Sequence, residues 1–298
     1  MKNKIRNINA KIISFLFILL GLTRRVKKKA LRGDFILSIY FHSPEGVLFE
    51  FCIKWLKKHG FHFLSEEDIL AIANNSIPFP QGGVILTVDD GWLSNEKNVI
   101  AIAEKHKVPV TIFIATHAIE QGNYWWPYVA KAQELRMGFP SIAELKSLPN
   151  KKREKILTKI KTQVTLERQA LTLKQLEKAA NSAYINIGAH TVYHPILTNC
   201  EDDESYLEIK ESKDQIESWL NTKVHSFAYP NGDYSKREIE YLKQLDFFSA
   251  YTTEPNYLTR ESLKKIYQLP RFCIYESISK QEAICRMTGI WQQFFKGS

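Results

Sequence analysis

Three short stretches concentrate the side chains that could do chemistry. GVILTVDDGW, residues 83–92, runs an apolar segment into the adjacent carboxylates Asp89 and Asp90. Neighbouring carboxylates repel and are costly to bury unless a cation is close by; the same dipeptide also reads as an Asp-Gly turn with solvated acids. INIGAHTVYHPIL, residues 185–197, brings an apolar segment to His190 and His194, four apart. That spacing suits two metal ligands on one turn, although two unrelated histidines would look the same. SFAYPNGDY, residues 226–234, stops at Pro230 and turns through Asn231–Gly232. Such a turn can offer backbone N–H groups to an oxyanion, and P-N-G is also a common turn. Two neutral imidazoles and a carboxylate make a good zinc donor set, and three protein ligands leave a position for water.

Each stretch needs a strand to deliver it. Short runs rich in Val, Ile, Phe and Tyr predict strands at Phe35–Phe41, Val84–Val88, Val110–Ala115, Tyr184–Ala189, Val224–Ala228, Phe248–Thr252 and Leu269–Ile274. Between them the spacing predicts helices near Val47–Lys58, Glu66–Ala73, Asn95–His106, Asp203–Leu220 and Ser235–Leu245, with a last one over Ser279–Phe294. Ser65 with Asp68 reads as a capping box and Gly60 as the residue closing a helix. Alternation of strand and helix implies a parallel sheet with right-handed crossovers. The expected fold is α/β, a (β/α) barrel with seven strands and a helical insertion, Thr116–Ala183, between strands 3 and 4. Reactive residues of such folds gather where strands end.

In the order strand–TxDDG, strand–HTxxHP, strand–YPxG, these stretches resemble the polysaccharide deacetylases, carbohydrate esterase family four, the NodB-homology domain. SIYFHSPEGVLFEFCIKWLKKHGFHFLSEEDI upstream, with FFSAYTTEPN and LPRF downstream, is similar to the membrane-polysaccharide branch of that family. The likeness runs from about Phe35 to Ile274 and implies a distorted (β/α)7 barrel. By motif position it implies that Asp90, His190 and His194 hold a divalent metal, most simply Zn2+ with Co2+ or Mn2+ as alternatives, and that Asp89 is the general base. Thr191 would orient the loop between the histidines, and the oxyanion would rest on the metal and the backbone near Asn231, with Tyr229, Asn231 and Trp92 as candidate substrate contacts. Two positions depart from the pattern. Where many members carry Arg, two residues before the Pro of the third motif, this chain has Ala228; Arg271 in LPRF is the candidate replacement beside Asp89. No histidine follows His225 to serve as general acid, and His42 at the end of the first strand is the candidate, with a plain strand-end histidine as the alternative.

The implied activity is removal of N-acetyl groups from an amino sugar in a polysaccharide or lipid-linked glycan. The alternatives are deacylation of another amide or of an O-acetyl ester, or an inactive barrel that binds glycans. In NYWWPYV, residues 123–129, Trp125 and Trp126 could stack on a sugar or lipid, or seal the barrel as core.

Charge argues against nucleic acid as a partner. The net +9 comes from one place: ten of the 41 Lys and Arg fall in residues 1–33, which hold no acid, and the rest nearly balance the 32 acidic residues. The body therefore lacks the basic face that nucleic-acid binding needs. Residues 1–33 read as an arm on the barrel domain 34–298: the apolar run Ile12–Leu22 lies between basic residues. It is too short to span a bilayer comfortably and has no signal-cleavage site after it. Such an arm is expected to hold the protein to a membrane surface, on the cytoplasmic face by its flanking charge, with an uncleaved signal anchor and an exported barrel, or a buried N-terminal helix, as the alternatives. Cys52, Cys200, Cys273 and Cys285 form no paired motif and are expected to be buried free thiols.

Overall fold

The computed structural model describes residues 2–295; Met1, residues 296–298 and the side chains of residues 2–5 lie outside the described residues, and with them the outer ends of the segments 1–33 and 34–298. The strands are β1 Leu37–Phe41, β2 His62–Phe63, β3 Gly83–Val88, β4 Val110–Ile114, β5 Ile185–Ala189, β6 Ser226–Ala228, β7 Ser249–Tyr251 and β8 Phe272–Cys273. Their order is β7-β6-β5-β4-β3-β1-β8, parallel throughout, in one curled sheet. The circle closes through a single bridge, Tyr251 to Leu269, just before Pro270. Pro270 has no N–H to continue a ladder, so the stretch expected as one strand, Leu269–Ile274, first bridges β7 and then pairs with β1. This is the distorted seven-stranded α/β barrel, and β2 is an addition that the sequence reading lacked. It pairs with Gly83 and Val84 at the start of β3, on an edge that β4 takes over at Thr87 and Val88.

The strands are buried on both faces, as near-continuous apolar runs in parallel sheets should be. Burial of each such Val, Leu or Ile contributes about 1.5–3 kcal/mol. Gly188 in β5 leaves room for a ring: a Cβ there would stand 2.4 Å from Phe113 of β4. Register then levels the strand ends. Phe41 pairs with Val88, Ile114 with Ala189 and Ala189 with Phe227, so His42, Asp89, His190 and Ala228 emerge side by side at one rim.

The predicted helices are present, with two breaks. The helix expected over Asn95–His106 begins as a π turn, Glu96–Ile100, before Ala101–His106. The last one divides into Lys280–Met287 and Ile290–Phe294 at Gly289, whose φ of 70° a side chain would resist. Ser65 and Asp68 form the capping box, which fixes Glu66 in the first turn of Glu66–Ala73. The insertion is helical, Thr116–Gln121, Trp125–Glu134, Ile142–Lys146, Asn150–Lys161 and Leu173–Ala180, and has a core of its own built on Trp125, Val129, Leu145, Leu157 and Ile160. All four cysteines are buried and free.

At the N-terminus, the helix Lys2–Leu19 extends well beyond the apolar run and is docked on the barrel. Ala10 packs with Cys285 and Trp291, and Arg6 bridges Glu282 at 2.8 Å. Gly21, at φ 72°, ends this helix, and Leu22–Leu31 leaves it at an angle of 61°. Among the described residues no single helix is long and apolar enough to cross a membrane.

Candidate metal centre

β3 and β5 deliver the two motifs to one point. Oδ1 of Asp90 lies 3.5 Å from Nε2 of His190 and 3.5 Å from Nε2 of His194, and the two Nε2 atoms are 3.1 Å apart. Ligands about 2.0–2.1 Å from a tetrahedral zinc sit roughly 3.3 Å from one another, from the same bond lengths. The three donors are therefore already spaced as a metal requires, and among the described residues they are the group that could hold one. The tautomer fits as well. Nδ1 of His190 donates to the Ala228 carbonyl at 2.6 Å, so Nε2 keeps its lone pair for a ligand. The Nε1–H of Trp92 donates to Asp90 Oδ2 at 2.8 Å and leaves Oδ1 facing the histidines.

The loop is strained where it must aim these groups. Asp90, Thr191, His194 and Asn231 all have positive φ, 78°, 67°, 53° and 59°. Side chains resist that region unless the surroundings enforce it. The enforcement is visible. Thr191 Oγ1 accepts the N–H of His194 at 3.0 Å, the Trp125 indole donates to the His194 carbonyl at 3.0 Å, and the carboxylate of Glu208 accepts the N–H groups of Val192 and Tyr193, each at 2.9 Å.

Burial, and then the neighbouring His190, lower the pKa of His194 to about 3, so its imidazole stays neutral. Burial opposes the charge of Asp90, but the surrounding imidazoles, His190 first and then His42, outweigh it and hold the carboxyl well below the usual range.

Asp89 is 2% exposed and held from behind by Arg271, which is fully buried. The guanidinium donates to Oδ1 and Oδ2 of Asp89, both at 2.8 Å, and to Thr87 Oγ1 at 2.8 Å and the Thr252 carbonyl at 3.0 Å. It also lies over the ring of Tyr40 at 4.3 Å. Each carboxylate oxygen keeps a second lone pair toward the cleft.

The cleft itself encloses about 530 Å³ and is lined by His42, Asp89, Asp90, Trp92, His190, His194 and Asn231 among the sequence candidates. Ser43, Trp126, Ile142, Lys146, Thr253, Tyr275 and Glu276 complete it. Two candidates stand outside the lining: Arg271 acts through Asp89, and Tyr229 is a correction. The Tyr229 ring is fully buried against Tyr234, with its hydroxyl on the Tyr267 carbonyl at 3.0 Å, because β6 turns this side chain into the core. The two tryptophans divide the alternatives: Trp125 is core, and Trp126 borders the cleft 4.7 Å from the ring of His194. Lys146 reaches Asn231 Oδ1 at 2.7 Å from the insertion. Neither Lys146 nor Glu208 carried a sequence signal, since each meets its partner only through the fold. For His42, burial works to lower the pKa, while Cys273 and the charges of Asp90 and Asp89 raise it, to about 10.

The family model described as polysaccharide deacetylase matches residues 76–249. A Bacillus subtilis (strain 168) protein named as a polysaccharide deacetylase, YxkH, is 20% identical over 231 residues, 78% of this chain and 65% of that protein. The poly-beta-1,6-N-acetyl-D-glucosamine N-deacetylase of Staphylococcus aureus (strain MSSA476) is 31% identical over 106 residues, 34% of this chain and 36% of that one. The chain thus spans less than two thirds of the length of either relative. Among solved structures, the Streptococcus pyogenes deacetylase PplD in complex with acetate aligns over 85% of this chain and 96% of its own, with a TM-score of 0.62 and 21% identity. IcaB from Ammonifex degensii aligns over 86% and 97%, with a TM-score of 0.62 and 15% identity. The extent of the family match, with its two motifs meeting at the rim of a seven-stranded α/β barrel, makes this chain a member of the polysaccharide deacetylase family.

Proposed function

We propose that this chain is a metal-dependent N-deacetylase whose substrate is an acetamido sugar within a glycan or on a lipid carrier. The observation that supports it most is the convergence of Asp90 Oδ1, His190 Nε2 and His194 Nε2, 3.1–3.5 Å apart, beside a second carboxylate that is not part of the set. Zinc suits these donors, and cobalt or manganese would be tolerated. When bound, a divalent cation polarises the acetamide carbonyl and brings the pKa of water toward neutrality.

The chain's own groups then divide the proton work. Asp89, oriented by the two Arg271 bonds, accepts the proton of the attacking water. His42, beside Asp89 on the same rim and with its pKa raised, gives a proton to the departing sugar nitrogen. The turn at Asn231 borders the cleft where the oxyanion would form. Trp92, Trp126 and Tyr275 offer ring faces to a pyranose.

The test is released acetate from a panel: β-1,6- and β-1,4-linked N-acetylglucosamine oligomers, a lipid-linked N-acetylated sugar and an O-acetylated xylan. Release from an N-acetylated member, at a kcat/KM well above that on the ester, is expected. Preference for the ester would move the activity to O-deacylation, and no release from any member with metal bound would leave a glycan-binding barrel.

A further inference from the structure

The helix Lys2–Leu19 has two apolar faces, and the barrel covers one. Ala10, Ile13, Ser14, Phe17 and Ile18 face the C-terminal helices, with Ala10 and Ser14 buried. At about 100° per residue, Ile8, Ile12, Phe15, Leu16 and Leu19 fall together on the opposite side. There they are exposed, Leu19 by 70% and the adjoining Leu20 by 68%. Single exposed apolar residues are ordinary, but a contiguous row marks a surface that something covers.

Charge says what covers it. Beyond Gly21, the helix Leu22–Leu31 buries Thr23, Val26 and Ala30 and turns Arg24, Arg25, Lys28 and Lys29 to solvent. Lys11 stands beside the apolar row, and residues 1–33 contain no acid. A second copy packed on this face would bring two such basic helices together, which like charge opposes. A surface that is negative at its headgroups and apolar beneath them fits both features.

We infer that residues 8–29 form an in-plane docking surface for an anionic lipid bilayer, with the apolar row at the acyl boundary and the basic helix among the headgroups. The helix does not span, because its other face is committed to the barrel. The first turns of this helix also touch the segment that borders the cleft. Arg6 bonds Glu282 and Asn7 Nδ2 donates to the Ser277 carbonyl, one and two residues from Glu276 and Tyr275 of the cleft lining. A cleft lining this near the docked helix favours a sugar on a lipid carrier; this consequence rests on the deacetylase reading, while the docking does not.

Co-sedimentation of the full chain with vesicles tests it, using equal parts phosphatidylglycerol and phosphatidylcholine against phosphatidylcholine alone. Binding to the first and roughly tenfold weaker binding to the second is expected. Leu16→Ser with Leu19→Ser should cut binding to the anionic vesicles by roughly tenfold or more. Arg24→Gln, Arg25→Gln, Lys28→Gln and Lys29→Gln together should abolish the preference for them. Both variants should keep the wild-type melting temperature and acetate release from soluble oligomers, so a failure to bind lipid is separable from a failure of catalysis. Absence of binding to anionic vesicles overturns the inference. So does wild-type binding by the Leu16 variant, resistance of the bound chain to carbonate extraction, or a dimer that depends on Leu16 and Leu19 without lipid binding.

Discussion

Arg271 grips Asp89 with two parallel N–H···O bonds of 2.8 Å across 182 residues of sequence, joining the segment before β8 to the end of β3. Both groups are buried, so neither is replaceable alone. Arg271→Ala leaves a buried carboxylate without its cation, a defect that costs about 3–5 kcal/mol. The expected outcome is a marked fall in melting temperature together with loss of kcat. Arg271→Lys keeps the charge but cannot make the fork, so it should recover most of the stability and little of the rate. Equal recovery of both would assign Arg271 to folding alone.

Glu208 accepts the N–H groups of Val192 and Tyr193 and so holds the strained turn between His190 and His194. Glu208→Ala should weaken zinc binding by about 10–100-fold, the usual effect of losing support behind ligands. Competition with a chelator of known affinity measures this. Unchanged zinc affinity would mean that Thr191 and Trp125 suffice to hold the loop.

A proton donor works only while protonated, so activity should decline as pH rises through the pKa of His42. That pKa is raised from 6.5 to about 10. The rate should therefore persist past pH 7 and fall only well into the alkaline range. His42→Ala should lose about 10²–10⁴-fold in kcat and the alkaline limb with it, while zinc binding stays. An unaltered limb in this variant would remove His42 from the chemistry.

At the end of the barrel opposite the cleft, Glu66 is 3% exposed and accepts from Ser249 Oγ at 3.1 Å. Burial raises its pKa from 4.5 to about 7. The folded state thus binds this proton more tightly than the unfolded chain, and the associated stability is present below pH 4.5 and lost as pH rises through 7. Glu66→Gln mimics the protonated form. It should match the wild type near pH 5 and exceed it at pH 8 by about 3 kcal/mol at most. Parallel melting-temperature profiles for the two proteins would contradict this.

The sequence disclosed these sites unevenly, for physical reasons. Asp89, Asp90, His190 and His194 stood out because polar, ligand-type side chains directly followed apolar runs, and a barrel levels its strand ends. Arg271 was legible only as the answer to a gap at Ala228. Glu208 was not legible: in DDESYLEIKESKDQIESWL it is one acid among many on a long helix, and only the packing buries it. β2 is two residues long and carries no periodicity to detect. Tyr229 misled because a strand-end position looks the same whether the side chain turns to the cleft or to the core. In the N-terminal helix, hydropathy located the apolar run, but not that half of it faces the barrel.

If the Asp90, His190 and His194 set carries a metal, deacetylation depends on it. The most direct measurement is acetate release from an N-acetylglucosamine oligomer by chelator-stripped protein titrated with zinc, in the wild type and in His190→Ala. No release is expected without metal, with recovery that saturates near one equivalent in the wild type and none in His190→Ala. Full release by the stripped protein, or recovery in His190→Ala with the same stoichiometry, would contradict it.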